Sequence, residues 1–212
     1  MSKPLVEYSI EIENQDIFSD FCLHGNVPMD IDTLRKECYE LRDKNDLAIR
    51  SSRLGWQSRI LSSDHYQPCL KALQSTVNEF AEKALEDIGL TAKVYDSNYW
   101  VNINRDLSYN IMHHHGRTDL IAIAYIKAPD GCGKFVASRN DGSCYTNLYK
   151  KAHHQKYGNV FTYEPRAQDI IVLPGHIWHH VEPSLTEKDR IAISYNIQLH
   201  PSVPQDNDYG RT

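Results

Sequence analysis

Apolar positions along the chain fall into two regimes. From Asp30 to Lys44 they recur at intervals of three and four, through Ile31, Leu34, Cys38 and Leu41, which predicts one amphipathic helix capped by Asp30 or Asp32. A second, longer stripe of Tyr66, Cys69, Leu70, Leu73, Val77, Phe80, Ala81, Ala84, Leu85 and Ile88 predicts a helix over about 66–88, ended by Gly89. Before the first helix, the short alternation of Leu5, Tyr8, Ile10 and Ile12 predicts a strand. Between the helices, the Gly- and Ser-containing stretch Ser51–Ser58 reads as a loop.

After Lys93 the period shortens to two. Runs rich in Tyr, Val, Ile and Trp alternate with Gly, Pro, Asn and Asp, predicting eight strands: 93–104, 109–115, 120–127, 134–137, 160–163, 169–173, 177–182 and 190–199. Two helices followed by eight short strands predict a mainly β fold, a jelly roll with N-terminal helices packed on its outside. The expected organisation is one domain over 1–200, with helical support in 1–92, the β core in 93–200 and a loose tail over 201–212.

Composition adds exclusions. A net charge of −5 without a basic block does not suggest a nucleic-acid surface. No apolar run suits a signal peptide or a membrane span, which points to the cytoplasm. Five cysteines, an odd number with no Cys-x-x-Cys, predict reduced thiols instead of a disulfide framework. The stripe of the first helix suits either the barrel or a second copy of the chain.

Histidine changes the picture most. Eight of the eleven histidines lie between His113 and His180. In a strand, alternate side chains share a face, so His113 and His115 point one way and His114 the other. Two imidazoles at i and i+2 can hold one metal ion, and the later pair His179 and His180 is the best source of a third ligand. Three ligands on one side of an ion leave open positions on the other, as an iron centre that binds a co-substrate and O2 requires. His153 and His154, in a Lys- and Tyr-rich stretch, read as solvent-exposed. Arg190 follows His179 by eleven residues, on a strand face with Ala192, Ser194 and Asn196, while Ile191, Ile193, Tyr195 and Ile197 form the other face. An arginine facing a barrel interior needs an anion, and a dicarboxylate supplies one through a bidentate pair; the alternative is a surface arginine paired with Asp189 or Glu187.

These residues form a pattern. The string Asn102, Asn104, Asn110, His113, His115 resembles that of the 2-oxoglutarate-dependent Fe(II) oxygenases of marine bacteria and cyanophages, which share the double-stranded β-helix with the prolyl hydroxylases. Gly55-Trp56-Gln57-Ser58, Tyr125, the strand Gly133–Val136 and the closing stretch Ile171–Asn196 resemble further pieces of the same family, in order. The resemblance implies a double-stranded β-helix in which His113, His115 and His179 bind Fe(II), with His180 as the runner-up. It implies that Arg190 grips the distal carboxylate of 2-oxoglutarate, and that Tyr125 and Asn104 make further co-substrate contacts. The implied activity is hydroxylation of a small-molecule or peptidyl substrate with O2, releasing succinate and CO2. The implied compartment is the cytoplasm, or the host cytoplasm if a phage encodes the chain.

Two departures stand out. Most 2-oxoglutarate oxygenases use His-x-Asp or His-x-Glu where this chain has His-x-His, and Ala192 stands where many relatives have Ser. Three imidazoles bring the site close to three-histidine cupin-type dioxygenases that use no 2-oxoglutarate. A non-catalytic jelly roll with a closed metal site, His180 or His176 being the fourth ligand, is the other alternative. A shifted frame, His114-x-Gly116, would mimic the halogenase pattern. Trp56 and Trp178 are candidates to line a substrate pocket.

Overall fold

The computed structural model describes residues 20–48, 50–61, 67–139 and 160–201. The strand expected around Leu5–Ile12, His153 and His154, Cys144 and the tail after Pro201 lie outside these residues. The elements run β1 (Leu23–Asn26), α1 (Ile31–Lys44), β2 (Ser52–Arg53), β3 (Trp56–Gln57), α2 (Pro68–Asp87), β4 (Ala92–Asn104), β5 (Tyr109–His113), β6 (Leu120–Lys127), β7 (Phe135–Ser138), β8 (Val160–Tyr163), β9 (Asp169–Pro174), β10 (Trp178–Val181) and β11 (Arg190–Pro201).

The strands form two antiparallel sheets, one ordered β1-β9-β6-β11-β4-β3 and the other β2-β5-β10-β7-β8. This is a double-stranded β-helix, and its period of two sorts residues between two cores. On β11, Ile191, Ile193, Tyr195 and Ile197 join Val101, Ile103, Ala122, Ala124 and Val172 on the outer face of the larger sheet, where the helices cover them. Ala192, Ile121, Ile123, Tyr125, Ile171 and Leu173 face inward, against Phe135, Ala137 and Val181 of the smaller sheet. β6 is therefore apolar on both faces, as a strand buried on both sides must be.

Both helices follow their stripes. Asp30 caps α1, its carboxylate accepting from the Thr33 amide at 3.1 Å. Leu34, Cys38 and Leu41 are buried in the shared core with α2 and the sheet, so this chain itself covers the stripe. α2 has no side-chain cap of its own; buried Glu37 of α1 accepts from the Cys69 and Leu70 amides instead, at 3.0 and 2.9 Å.

Three elements differ from expectation. Ser51–Ser58 is not a plain loop. β2 and β3 flank a Leu54-Gly55 turn with Leu54 at φ 58°, and they tie the segment to both sheets: Ser52 pairs with Asn110, and Gln57 with Asn102. A β-carbon at Gly55 would stand 2.7 Å from Asn104 Oδ1, so any larger residue there would have to displace the Asn104 side chain. β1 has no alternation to announce it and exists through pairing with β9. β5 ends at His113 instead of His115, since its ladder with β10 ends at the pair His113–His179.

Candidate metal and co-substrate site

The site lies between the two sheets. His113 closes β5, and His179 lies opposite it on β10; their ring centroids are 4.3 Å apart. His115 comes from the turn after β5, where its amide donates to the Gly175 carbonyl at 2.7 Å and its carbonyl accepts from Thr118 at 2.9 Å. Its ring is 5.2 Å from each of the other two. One ring nitrogen from each of the three lies within 4.8 Å of the others.

The second nitrogen of each ring fixes its proton. His113 Nδ1 meets the Ile111 carbonyl at 2.7 Å and His179 Nδ1 meets the Ile177 carbonyl at 2.9 Å. A carbonyl oxygen only accepts, so each Nδ1 carries the proton and each Nε2 keeps a free lone pair. His115 Nδ1 meets the side-chain oxygen of Asn196 at 2.6 Å, with the same consequence. Burial pushes all three pKa values below the usual histidine range, His115 to about 4 and His179 to about 3, while the neighbouring imidazoles push the same way. The rings are therefore neutral at physiological pH, the form that binds a metal.

The other histidines stand elsewhere. His114 is exposed and packs on Trp178 at 4.5 Å, which removes the His114-x-Gly116 frame. His180 shares the opposite face of β10 from His179, and its Nδ1 finds no partner among the described residues. His176 is at the surface, bonded to Asp20 at 3.0 Å. None of them is placed as a fourth ligand, and among the described residues no other His, Cys, Asp or Glu joins the triad.

One cavity runs from the triad to Arg190, and Tyr125, Asn102, Asn110, Ala192 and Ser194 line it. Arg190 is 2% exposed. Its Nη1 donates to the Cys132 and Gly133 carbonyls at 3.3 and 3.5 Å, its Nη2 to Asn110 Oδ1 at 3.4 Å, and its Nε has no partner among the described residues. No carboxylate among the described residues pairs with it; Asp189 instead accepts from the Tyr39 hydroxyl at 2.8 Å. A surface arginine paired with Asp189 is thus excluded. Burial raises the Tyr125 hydroxyl far above its usual range, so it stays protonated and can donate.

Asn104 is fully buried but does not line the cavity. It stands one bond behind, its amide donating to Asn110 Oδ1 at 3.3 Å. Neither Trp56 nor Trp178 lines the cavity. Trp100 does, stacked on His115 at 5.6 Å. Trp100, Asn110, Asn102 and Asn196 escaped sequence reasoning as site residues. For Trp100 and Asn102 the signal was the alternation of Asn98, Trp100, Asn102 and Asn104 on one face of β4; Asn110 and Asn196 stood in the sequence pattern without an assigned role.

Comparison with known proteins bears on this constellation. Residues 98–196, which contain the triad and Arg190, match the family described as "Putative 2OG-Fe(II) oxygenase". Over this stretch the chain is similar to the 2OG-Fe(II) oxygenases. No curated protein matches it by sequence. Among solved structures, the chain is similar to a prolyl-4-hydroxylase of Pseudomonas putida, with 13% identity, 84% of this chain and 91% of that chain covered, and a TM-score of 0.59. It is similar to a prolyl hydroxylase of Trichoplax adhaerens in complex with a hypoxia inducible factor peptide, with 13% identity, 83% and 82% covered, and a TM-score of 0.60. It is also similar to HygX of Streptomyces hygroscopicus, bound to nickel, 2-oxoglutarate and hygromycin B, with 14% identity, 82% of each chain covered, and a TM-score of 0.54. At these identities the likeness shows the fold, a double-stranded β-helix. Fe(II), 2-oxoglutarate and O2 are the cofactor and co-substrates of the oxygenase class. The residues fit them: one ring nitrogen of each of the three histidines lies within 4.8 Å of the others, and a buried guanidinium with no carboxylate partner among the described residues lines the same cavity. No helix among the described residues is long and apolar enough to cross a membrane.

Proposed function

We propose that the chain hydroxylates a small molecule or a peptide side chain, with His113, His115 and His179 holding Fe(II) through Nε2 and Arg190 holding the distal carboxylate of 2-oxoglutarate. The observation that carries this reading is Arg190: a guanidinium 2% exposed, without a carboxylate partner among the described residues, in the cavity of the triad. A buried charge in that state is costly, and a dianionic co-substrate relieves it. When bound, Fe(II) and 2-oxoglutarate supply the reductive activation of O2, with oxidative decarboxylation of the co-substrate to succinate and CO2.

The protein's own groups position and shield. Arg190 turns its free Nε and its weakly bonded Nη atoms to the carboxylate. The Tyr125 hydroxyl donates beside it. Asn110 holds Nη2, and Asn104 holds Asn110, so Asn104 serves the co-substrate at one remove. Ile121, Ile123 and Val181 keep water from the space between anion and metal.

The string from Asn102 to His115 and the Gly55–Ser58 segment support placement in the marine bacterial and cyanophage branch. A cytoplasmic location, the host's for a phage protein, goes with that placement. Net acidity favours a substrate other than nucleic acid.

The test is succinate formation. Iron-loaded protein incubated in air with 2-oxoglutarate and ascorbate is expected to release succinate slowly without added substrate. Arg190→Leu and His179→Ala are expected to abolish it, and His114→Ala to retain it. Oxygen uptake without succinate would replace this reading with a three-histidine dioxygenase that needs no 2-oxoglutarate.

A further inference from the structure

The three ligand histidines are not held alike. His113 and His179 each give Nδ1–H to a backbone carbonyl two residues earlier, Ile111 and Ile177. Those acceptors belong to the main chain and can present nothing but oxygen. His115 lies beyond the end of β5, and its partner is a side-chain amide, Asn196 Oδ1 at 2.6 Å.

An amide side chain has two faces. Turned one way, Asn196 offers an oxygen, which keeps the proton on His115 Nδ1 and leaves Nε2 free. Turned the other way, it offers an NH2 group, which would make Nδ1 the acceptor and place the proton on Nε2, where the metal must bind. A second residue decides between them. Asn98 sits opposite Asn196 across β4 and β11, and its Oδ1 accepts from Asn196 Nδ2 at 3.2 Å. That bond holds the NH2 group away from His115. Trp100, one inward-facing position along β4, stacks on the His115 ring at 5.6 Å and 27° and fixes its plane.

We infer that Asn98 and Asn196 are positioning residues, a two-amide relay that sets the His115 tautomer and so makes an imidazole usable at this position. The relay touches no substrate; it acts on the metal site only through His115. The inference rests on the proposed role of His115 as a ligand. The logic is that of other metal centres, where a partner on the far nitrogen fixes the tautomer and orientation of a ligating histidine.

The test uses full-length protein with 15N-labelled histidine, metal-free, and reads the proton position of each ring from long-range 1H–15N correlations. Zn(II), which is inert to O2, is then titrated against a chromophoric chelator. In the wild type all three rings are expected in the Nδ1–H form. Asn196→Asp, which keeps an acceptor for His115, is expected to retain that form and the Zn(II) affinity. Asn196→Leu is expected to give His115 a mixture of tautomers and to weaken Zn(II) binding about 10- to 100-fold. Asn98→Ala, at a half-buried position, is expected to move His115 the same way by less. His113 and His179 should not change in any variant. An unmixed Nδ1–H form of His115 in Asn196→Leu, with unchanged affinity, would overturn the relay; the same result in Asn98→Ala alone would remove Asn98 from it. Because the tautomers are read without metal or 2-oxoglutarate, a wild type that binds no Zn(II) would count against the metal site, not against the hydrogen-bond relay.

Discussion

His179 stands directly opposite His113 where β10 pairs with β5, and the two rings approach to 4.3 Å. Adjacent strands thus deliver two of the three proposed ligands as a consequence of register, and only the third depends on a turn. His113→Ala or His179→Ala is therefore expected to weaken Fe(II) or Zn(II) binding by more than the roughly 10- to 100-fold typical of outer-shell changes. His114→Ala and His180→Ala, on the other faces, should leave it unchanged. Anaerobic calorimetric titration of metal-free protein distinguishes these outcomes.

The turn that carries His115 has no spare room. A β-carbon at Gly175 would drive into the Thr118 carbonyl and stand 3.0 Å from the His115 carbonyl, while the Gly175 carbonyl itself receives the His115 amide. Gly175→Ala is expected to destabilise the fold by about 1–3 kcal/mol, as overpacking does, and to weaken metal binding at the same time. Chemical denaturation together with the metal titration reads both effects. Destabilisation with unaltered metal affinity would show that His115 does not depend on this contact.

Metal-free protein should be acid-sensitive in a defined window. The three histidines have folded pKa values below their ordinary 6.5, His115 about 4 and His179 about 3, because burial disfavours the charged ring. The unfolded chain therefore binds more protons below 6.5. Stability is full above that value and falls as pH drops from it toward 4 and 3, by up to about 1.4 kcal/mol per pH unit for each ring. Thermal melts in chelator at several pH values check this; the double variant His115→Asn/His179→Asn should flatten the slope.

Arg190 predicts a ligand effect on stability. At a 2-oxoglutarate concentration of about 100 times its Kd, the metal-loaded protein should gain about 2.7 kcal/mol, seen as a rise in melting temperature. Arg190→Met should lose that gain, because the methionine fills volume but offers the anion nothing. An equal rise in both proteins would place the co-substrate elsewhere.

Much of this was legible before the fold. Alternation along Arg190–Asn196 separated an inward polar face from an outward apolar one, and the sheet respects that division. The i, i+2 spacing put His113 and His115 on one side although His115 lies outside the strand. What escaped notice depends on long-range pairing. Leu23–Asn26 becomes a strand only because β9 lies beside it, and Ser51–Ser58 supplies a short strand to each sheet only because Asn110 and Asn102 meet it. Asn196 could be read as inward-facing, but its bond to His115 and its register with Asn98 belong to the pairing of β11 with β4, which no local window contains. Trp100 lines the cavity for the same reason, in place of the tryptophans at 56 and 178.

The most direct test of the central claim is an anaerobic titration of metal-free protein with Fe(II) and then 2-oxoglutarate, following the weak visible charge-transfer band of the chelate. The account predicts a band in the wild type, a weaker one at equal co-substrate in Arg190→Ala, and none in His115→Ala. Iron binding without a band in the wild type would contradict the co-substrate assignment, and failure to bind iron would contradict the site itself.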